Sequence, residues 1–110
     1  MAVTLAEGKP IARERVTLAT TWTAVVCPSW TREAAVYNAD TTITIYVANR
    51  TVNGDGGAAD AADNYQTLIK GARLEGITLA PGRSRPANAA ATIYIRAASG
   101  TPIAEVEASV

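Results

Sequence analysis

Two acids, Glu105 and Glu107, stand two apart in the run Ile103-Ala104-Glu105-Val106-Glu107-Ala108. On a strand that spacing puts both carboxylates on one face, and a carboxylate pair is what glycoside hydrolysis uses. The same alternation also reads more plainly. Ala104, Val106 and Ala108 turn inward and the two acids form the wet face, and that is the reading adopted. Cys27 is the one cysteine, so an internal disulfide is excluded, as is a cysteine-rich zinc or iron–sulfur site. A catalytic thiolate needs a base or a positive field beside it. With Val25-Val26 before it and Pro28 after it, Cys27 reads as a buried or half-buried structural residue. The chain has no histidine, which removes Ser-His-Asp triads, Cys–His pairs, His-ligated zinc and imidazole acid–base catalysis. The run Thr51-Val52-Asn53-Gly54-Asp55-Gly56 resembles the start of a calcium loop. Aligned on Gly56, however, it puts Thr51 first, Ala59 ninth and Ala62 twelfth, without the bidentate acid. Pro81-Gly82 is turn material, and no phosphate-binding glycine spacing occurs anywhere. The expectation is a protein that is not an enzyme, with no cofactor and no metal.

Charge points the same way. Ten basic and ten acidic side chains in 110 residues leave a formal net charge of zero. A nucleic-acid or membrane-surface binder needs a surplus of Lys and Arg, so neither partner is expected. The residues best placed to meet a protein partner are Lys9, Pro10, Arg13 and Arg15 near the start, Asn53 and Asp55 in a Gly/Asp-rich loop, and Arg83 and Arg85 in Arg83-Ser84-Arg85-Pro86. For the last two, local salt bridging is the simpler role. Trp22 and Trp30 could stack on a sugar, but large anchors are what an Ala- and Val-rich core lacks, and they read as core. No stretch of ~18 apolar residues exists to span a bilayer, and the start lacks the pattern of a signal peptide. One thiol fits synthesis in a reducing cytoplasm.

The elements that would hold these residues are strands. Thr42-Ile43-Thr44-Ile45-Tyr46-Val47 and Thr92-Ile93-Tyr94-Ile95-Arg96 alternate β-branched residues with polar or aromatic ones, the mark of a half-buried strand. Residues 103–108 make a third strand, and Ser99-Gly100-Thr101-Pro102 before it predicts an antiparallel hairpin with 91–97. Residues 16–26 read as one Thr/Val-rich strand with Val16, Leu18, Thr20, Trp22 and Val26 on one side. Residues 34–38 and 74–79 are shorter strands, with a turn at Asn38-Ala39-Asp40. A weak helix is predicted over 58–69. Short strands with frequent turn signals make the fold class all-β, an antiparallel β-sandwich of jelly-roll or Ig-like type. The expected organisation is an N-terminal arm or first edge strand over residues 1–15, then a single sandwich domain over 16–110 with one long irregular loop at 50–63.

The order of features also resembles a family. Pro28-Ser29-Trp30-Thr31-Arg32 follows the first strand, then Ala35-Val36-Tyr37-Asn38 and Ile43-Thr44-Ile45-Tyr46-Val47. Later come Gly76-Ile77-Thr78-Leu79-Ala80-Pro81-Gly82, then Ala97-Ala98-Ser99-Gly100-Thr101 and a terminal Ala104-Glu105-Val106-Glu107. This looks like the small β-sandwich virion proteins of tailed bacteriophages, from about Val16 onward. Arg83 stands where that family has an acid, and residues 50–63 are longer than its loop. The resemblance implies a structural protein of the phage particle, made in the host cytoplasm and carried on the capsid surface. Its implied role is a decoration or cement protein binding the major capsid protein, and it would self-associate as a trimer or dimer. The competing implication is a tail, fibre or connector domain binding a receptor or glycan through Trp30, Tyr46 or Tyr94.

Overall fold

A computed structural model of the protein describes residues 2–4, 11–48, 65–78 and 91–109. These form β1 (Ala2–Thr4), β2 (Ile11–Thr17), β3 (Thr23–Cys27), β4 (Glu33–Asn38), β5 (Ile45–Ala48), β6 (Gln66–Leu68), β7 (Arg73–Thr78), β8 (Ala91–Ala97) and β9 (Ile103–Ser109). The strands make two sheets, one in the order β1-β3-β8-β5-β6 and the other β2-β9-β4-β7. All pairings are antiparallel except that of β1 with β3. The antiparallel partners are nested. β5 pairs β6, β4 pairs β7, β3 pairs β8 and β2 pairs β9, as in one long ribbon whose successive segments fall in alternate sheets.

Alternation builds the core. Val25, Ile45, Val47, Ile93 and Ile95 point inward from the first sheet. Val16, Val36, Ala104, Val106 and Ala108 answer them from the second, and all these side chains belong to one apolar cluster. Each fully buried Val or Ile contributes roughly 1.5–3 kcal/mol of transfer free energy. Val3 on β1 and Trp30 after β3 pack against that cluster while remaining half-buried.

The sandwich departs from the strand reading in four places. Residues 16–26 are two strands in different sheets. β2 ends at Thr17, the chain crosses through 18–22, and β3 begins at Thr23 with Thr23, Val25 and Cys27 inward and Val26 half-buried on the other side. The crossing consumes residues without keeping register. Leu18 N–H donates to Pro102 O at 2.9 Å, and Ala19 O accepts from Ala97 N–H at 2.8 Å. Residues 91–97 and 103–109 do not form a hairpin. β8 lies between β3 and β5 and β9 between β2 and β4, so their apolar faces meet across the core. The connection turns at Gly100, whose φ of +62° favours glycine, and a Cβ there would lie 3.0 Å from Ile43 Cδ1. Of the helix predicted over 58–69, Gln66–Leu68 is a strand on β5 with Leu68 buried, and 58–64 lies outside the described residues. Finally, β5 begins only at Ile45, because the backbone of Thr42 and Ile43 is bent back onto Asp40.

Candidate functional site

The outer face of the β2-β9-β4-β7 sheet is an ion ladder set by register. Arg13 stands opposite Glu107 and Arg15 opposite Glu105. Arg13 Nε donates to Glu107 at 2.8 Å, and an Arg15 guanidinium nitrogen lies 3.9 Å from Glu105. From β7, Arg73 donates to Glu75 at 2.7 Å and reaches Glu107 at 3.7 Å. The two acids that suggested paired-carboxylate chemistry are thus matched by guanidinium groups across strands. Exposed pairs of this kind contribute about 0–1 kcal/mol each, so the ladder sets register and solubility more than stability. Two depressions on this face are lined by these residues together with Glu33, Ala35 and Glu14.

At one end of the sandwich Asn38 and Asp40 tie four segments together. Asn38 is fully buried. Its Nδ2 donates to Ile43 O at 2.8 Å and to Leu68 O at 3.0 Å, and its Oδ1 accepts from Asp40 N–H at 3.1 Å. The Asn38 backbone also donates to Ala72 O and accepts from Gly71 N–H. Gly71 takes φ +72° in the turn from β6 to β7. The Asp40 carboxylate accepts from Thr42 N–H at 2.9 Å, Ile43 N–H at 2.8 Å and the Thr42 hydroxyl at 3.2 Å. These bonds favour the charged form, and the Thr42 N–H foremost holds the pKa below the ordinary 3.8. A depressed carboxyl contributes stability that is fully present above its unfolded-state pKa and is lost as pH falls through the folded-state pKa. In urea titrations the Asp40→Asn variant should therefore lose less stability than wild type between about pH 5 and pH 2. Equal slopes for the two proteins would rule out Asp40 as a contributor to acid unfolding.

The outer face of the β1-β3-β8-β5-β6 sheet has a different character. Tyr46 on β5 stands directly across from Arg96 on β8. Trp22 enters from the corner before β3 and Tyr65 from just before β6. The Arg96 guanidinium carbon lies 4.4 Å from the Tyr46 ring centroid, 5.0 Å from Trp22 and 5.4 Å from Tyr65. The Tyr46 and Tyr65 rings meet edge to face at 4.8 Å, and Trp22 and Tyr65 are tilted at 6.1 Å. Tyr65 is exposed, and Trp22, Tyr46 and Arg96 are half-buried. Around them Ala24, Val26, Thr92 and Tyr94 carry no charge, and Arg96 is the one ionic side chain on this face among the described residues.

Of the residues singled out in the sequence, Arg13 and Arg15 lie on β2 in the ion ladder, within a strand of the second sheet. Lys9, Pro10, Asn53, Asp55, Arg83 and Arg85 lie outside the described residues. Cys27 is buried at the end of β3. Trp22 and Trp30 are both half-buried: Trp30 packs on the core, but Trp22 belongs to the outer cluster. Arg96 and Tyr65 were not singled out as site residues. The alternation of Tyr94, Ile95 and Arg96 puts the arginine on the outer face, but nothing in the sequence tells which rings the pairing brings to it. Among the described residues no group of three or more His, Cys, Asp or Glu is placed to hold a metal ion, and no helix is long and apolar enough to cross a membrane.

No family model, no curated protein and no solved structure matches the chain. Structure and sequence together define an all-β sandwich of two sheets, one faced with matched ions and the other with aromatic rings around an arginine.

Proposed function

We propose that this chain is a non-enzymatic structural protein of a bacteriophage particle, a capsid decoration or cement protein that binds and stabilises the major capsid protein shell. The observation that carries the reading is the nested pairing β5·β6, β4·β7, β3·β8 and β2·β9. An antiparallel ribbon wound in this way over two sheets favours the jelly roll, an architecture frequent in viral capsid and lectin domains, over the Ig-like sandwich with its ABED and CFG sheets. The step from that architecture to a virion is fold analogy, joined to the motif resemblance noted in the sequence. Two further features suit a repeated building block. The charge is self-neutralised across the ladder, and among the described residues the sheets end at β1 and β6 and at β2 and β7, edges of the kind that pair with a neighbour. Trimeric or dimeric self-association would cover such edges, and symmetry would add many weak contacts through avidity.

The test is rebinding. Purified protein added to phage particles that lack it should bind in a fixed ratio to the shell protein and raise the temperature at which the particles break. A copy number of only a few per particle, or no binding, would overturn the reading.

A second reading, a tail or fibre domain binding a receptor or glycan, draws on the aromatic composition of the Trp22–Tyr46–Tyr65 cluster, though not on the mutual tilt of its rings. Binding of neutral oligosaccharides, seen as a change in tryptophan emission abolished by Trp22→Ala, would select it.

A further inference from the structure

We propose that Arg96 and the rings around it form the docking point for an acidic segment of a partner protein, with a Glu or Asp carboxylate of that segment taken by the Arg96 guanidinium. The inference rests on the reading of this chain as a protein-docking module and names the point of contact. It does not depend on the partner being a capsid shell.

Three observations carry it. First, Arg13, Arg15 and Arg73 each have a carboxylate of this chain within 4 Å, whereas Arg96 has none among the described residues. A guanidinium carries five N–H donors, and ring carbons offer them no oxygen acceptor of the kind a carboxylate supplies. Second, the rings crowd the guanidinium. With Tyr46 at 4.4 Å and Trp22 at 5.0 Å, the guanidinium is held between strands, so little side-chain freedom remains to be lost when a carboxylate binds through two parallel bonds. Third, the surroundings have the composition of an interface centre. Trp, Tyr and Arg dominate binding hot spots, and here one Trp, two Tyr and one Arg converge on a face whose other described residues include Ala24, Val26, Thr67, Thr92 and Tyr94.

The same geometry weighs against a sugar as the occupant. The rings stand at 55° and 62° to one another, and each gives one face to the guanidinium, so they do not make a flat platform. An acidic peptide needs only the arginine edge and an apolar rim.

The experiment uses the full chain, isotopically labelled, and follows the Arg96 Nε–H and Trp22 indole N–H resonances. The probes are the blocked peptide Gly-Val-Glu-Val-Gly, its Gln counterpart and a trigalacturonate. The Glu peptide should shift both resonances saturably, with a dissociation constant on the order of 1 mM. The Gln peptide should not, and Arg96→Gln should abolish the response. Should that variant fail to fold, the Glu-against-Gln comparison on the wild-type chain decides by itself. No saturable shift up to ~20 mM Glu peptide, a concentration at which a contact worth ~3 kcal/mol would register, overturns the proposal. Equal response to both peptides, or tighter binding of trigalacturonate, also overturns it. Particle rebinding separates this inference from the functional reading. Unimpaired rebinding of a folded Arg96→Gln protein puts the docking point elsewhere and leaves the decoration role standing. A peptide response without rebinding sinks the decoration role and leaves the Arg96 site standing.

Discussion

Replacing Asn38 by aspartate should lower the melting temperature by about 15 °C, although the two side chains have nearly the same shape. The amide nitrogen of Asn38 donates to two backbone carbonyls, Ile43 O and Leu68 O, in a fully buried site. Aspartate puts an oxygen in its place, facing two acceptors at 2.8 and 3.0 Å. Both donated bonds are lost, and each carbonyl left unpaired inside the protein costs about 1–3 kcal/mol. A loss of about 3 kcal/mol follows, a large share of the ~5–15 kcal/mol that holds a domain folded. Burial raises the pKa of the introduced carboxyl, so the penalty should grow as pH rises through that range and shrink in acid, where the protonated group donates one bond. Far-UV circular dichroism melts at neutral and acid pH measure both effects. A melting temperature within a few degrees of wild type at neutral pH would show that the Asn38 knot is dispensable. Asn38→Ala should be comparably destabilised, since it orphans the same carbonyls and empties the site.

Asn38 also shows where reading the sequence stops. The turn Asn38-Ala39-Asp40 is legible, because Asn and Asp bond their own backbone two residues on, as Asp40 N–H to Asn38 Oδ1 does. That the same amide would reach Leu68, 30 residues away, is not written in the turn. The strands follow the same rule. Residues 91–97 and 103–109 were legible as strands with the correct faces, because alternation is local. Their partners were not. Ile93 and Ile95 say "inward" and so do Ala104, Val106 and Ala108, but inward is the same instruction for two strands of one hairpin and for two strands facing across a core. The corner at 18–22 failed for a related reason, since a crossing resets the parity that the pattern assumed to be continuous. The ion ladder was half legible, with Glu105 and Glu107 assigned to the wet face, yet their match to Arg13 and Arg15 needs the β2·β9 register. The Arg96 cluster was least legible of all, because its four members come from four separate segments that only the sheet assembles.

Ile95→Ala should cost about 3 kcal/mol, in the range for emptying a buried isoleucine site, while Ile103→Ala should cost less than ~1 kcal/mol. The two isoleucines lie in consecutive strands and differ in what surrounds them. Ile95 has no exposed surface and sits on β8 between β3 and β5, where neighbours on both sides prevent collapse into the space left behind. Ile103 is 37% exposed at the start of β9. Urea midpoints of the two variants test the contrast, and equal losses would mean that the two-sheet core is not where the inward face of β8 packs. Ile95 is flanked in sequence by Tyr94 and Arg96, which gives the variant a second use. Its side chain points into the core while theirs point out, so a stability loss there leaves the outer face assembled. Well below its melting temperature, Ile95→Ala should keep the Arg96 response to the glutamate peptide. Arg96→Gln leaves the core residues in place and removes the cation from the rings, so it should lose the response even well below its own melting temperature. Under the docking proposal, a single strand carries two separable roles on its alternate residues: Ile93, Ile95 and Ala97 are buried in the sandwich, and Arg96 is the residue proposed to meet the partner.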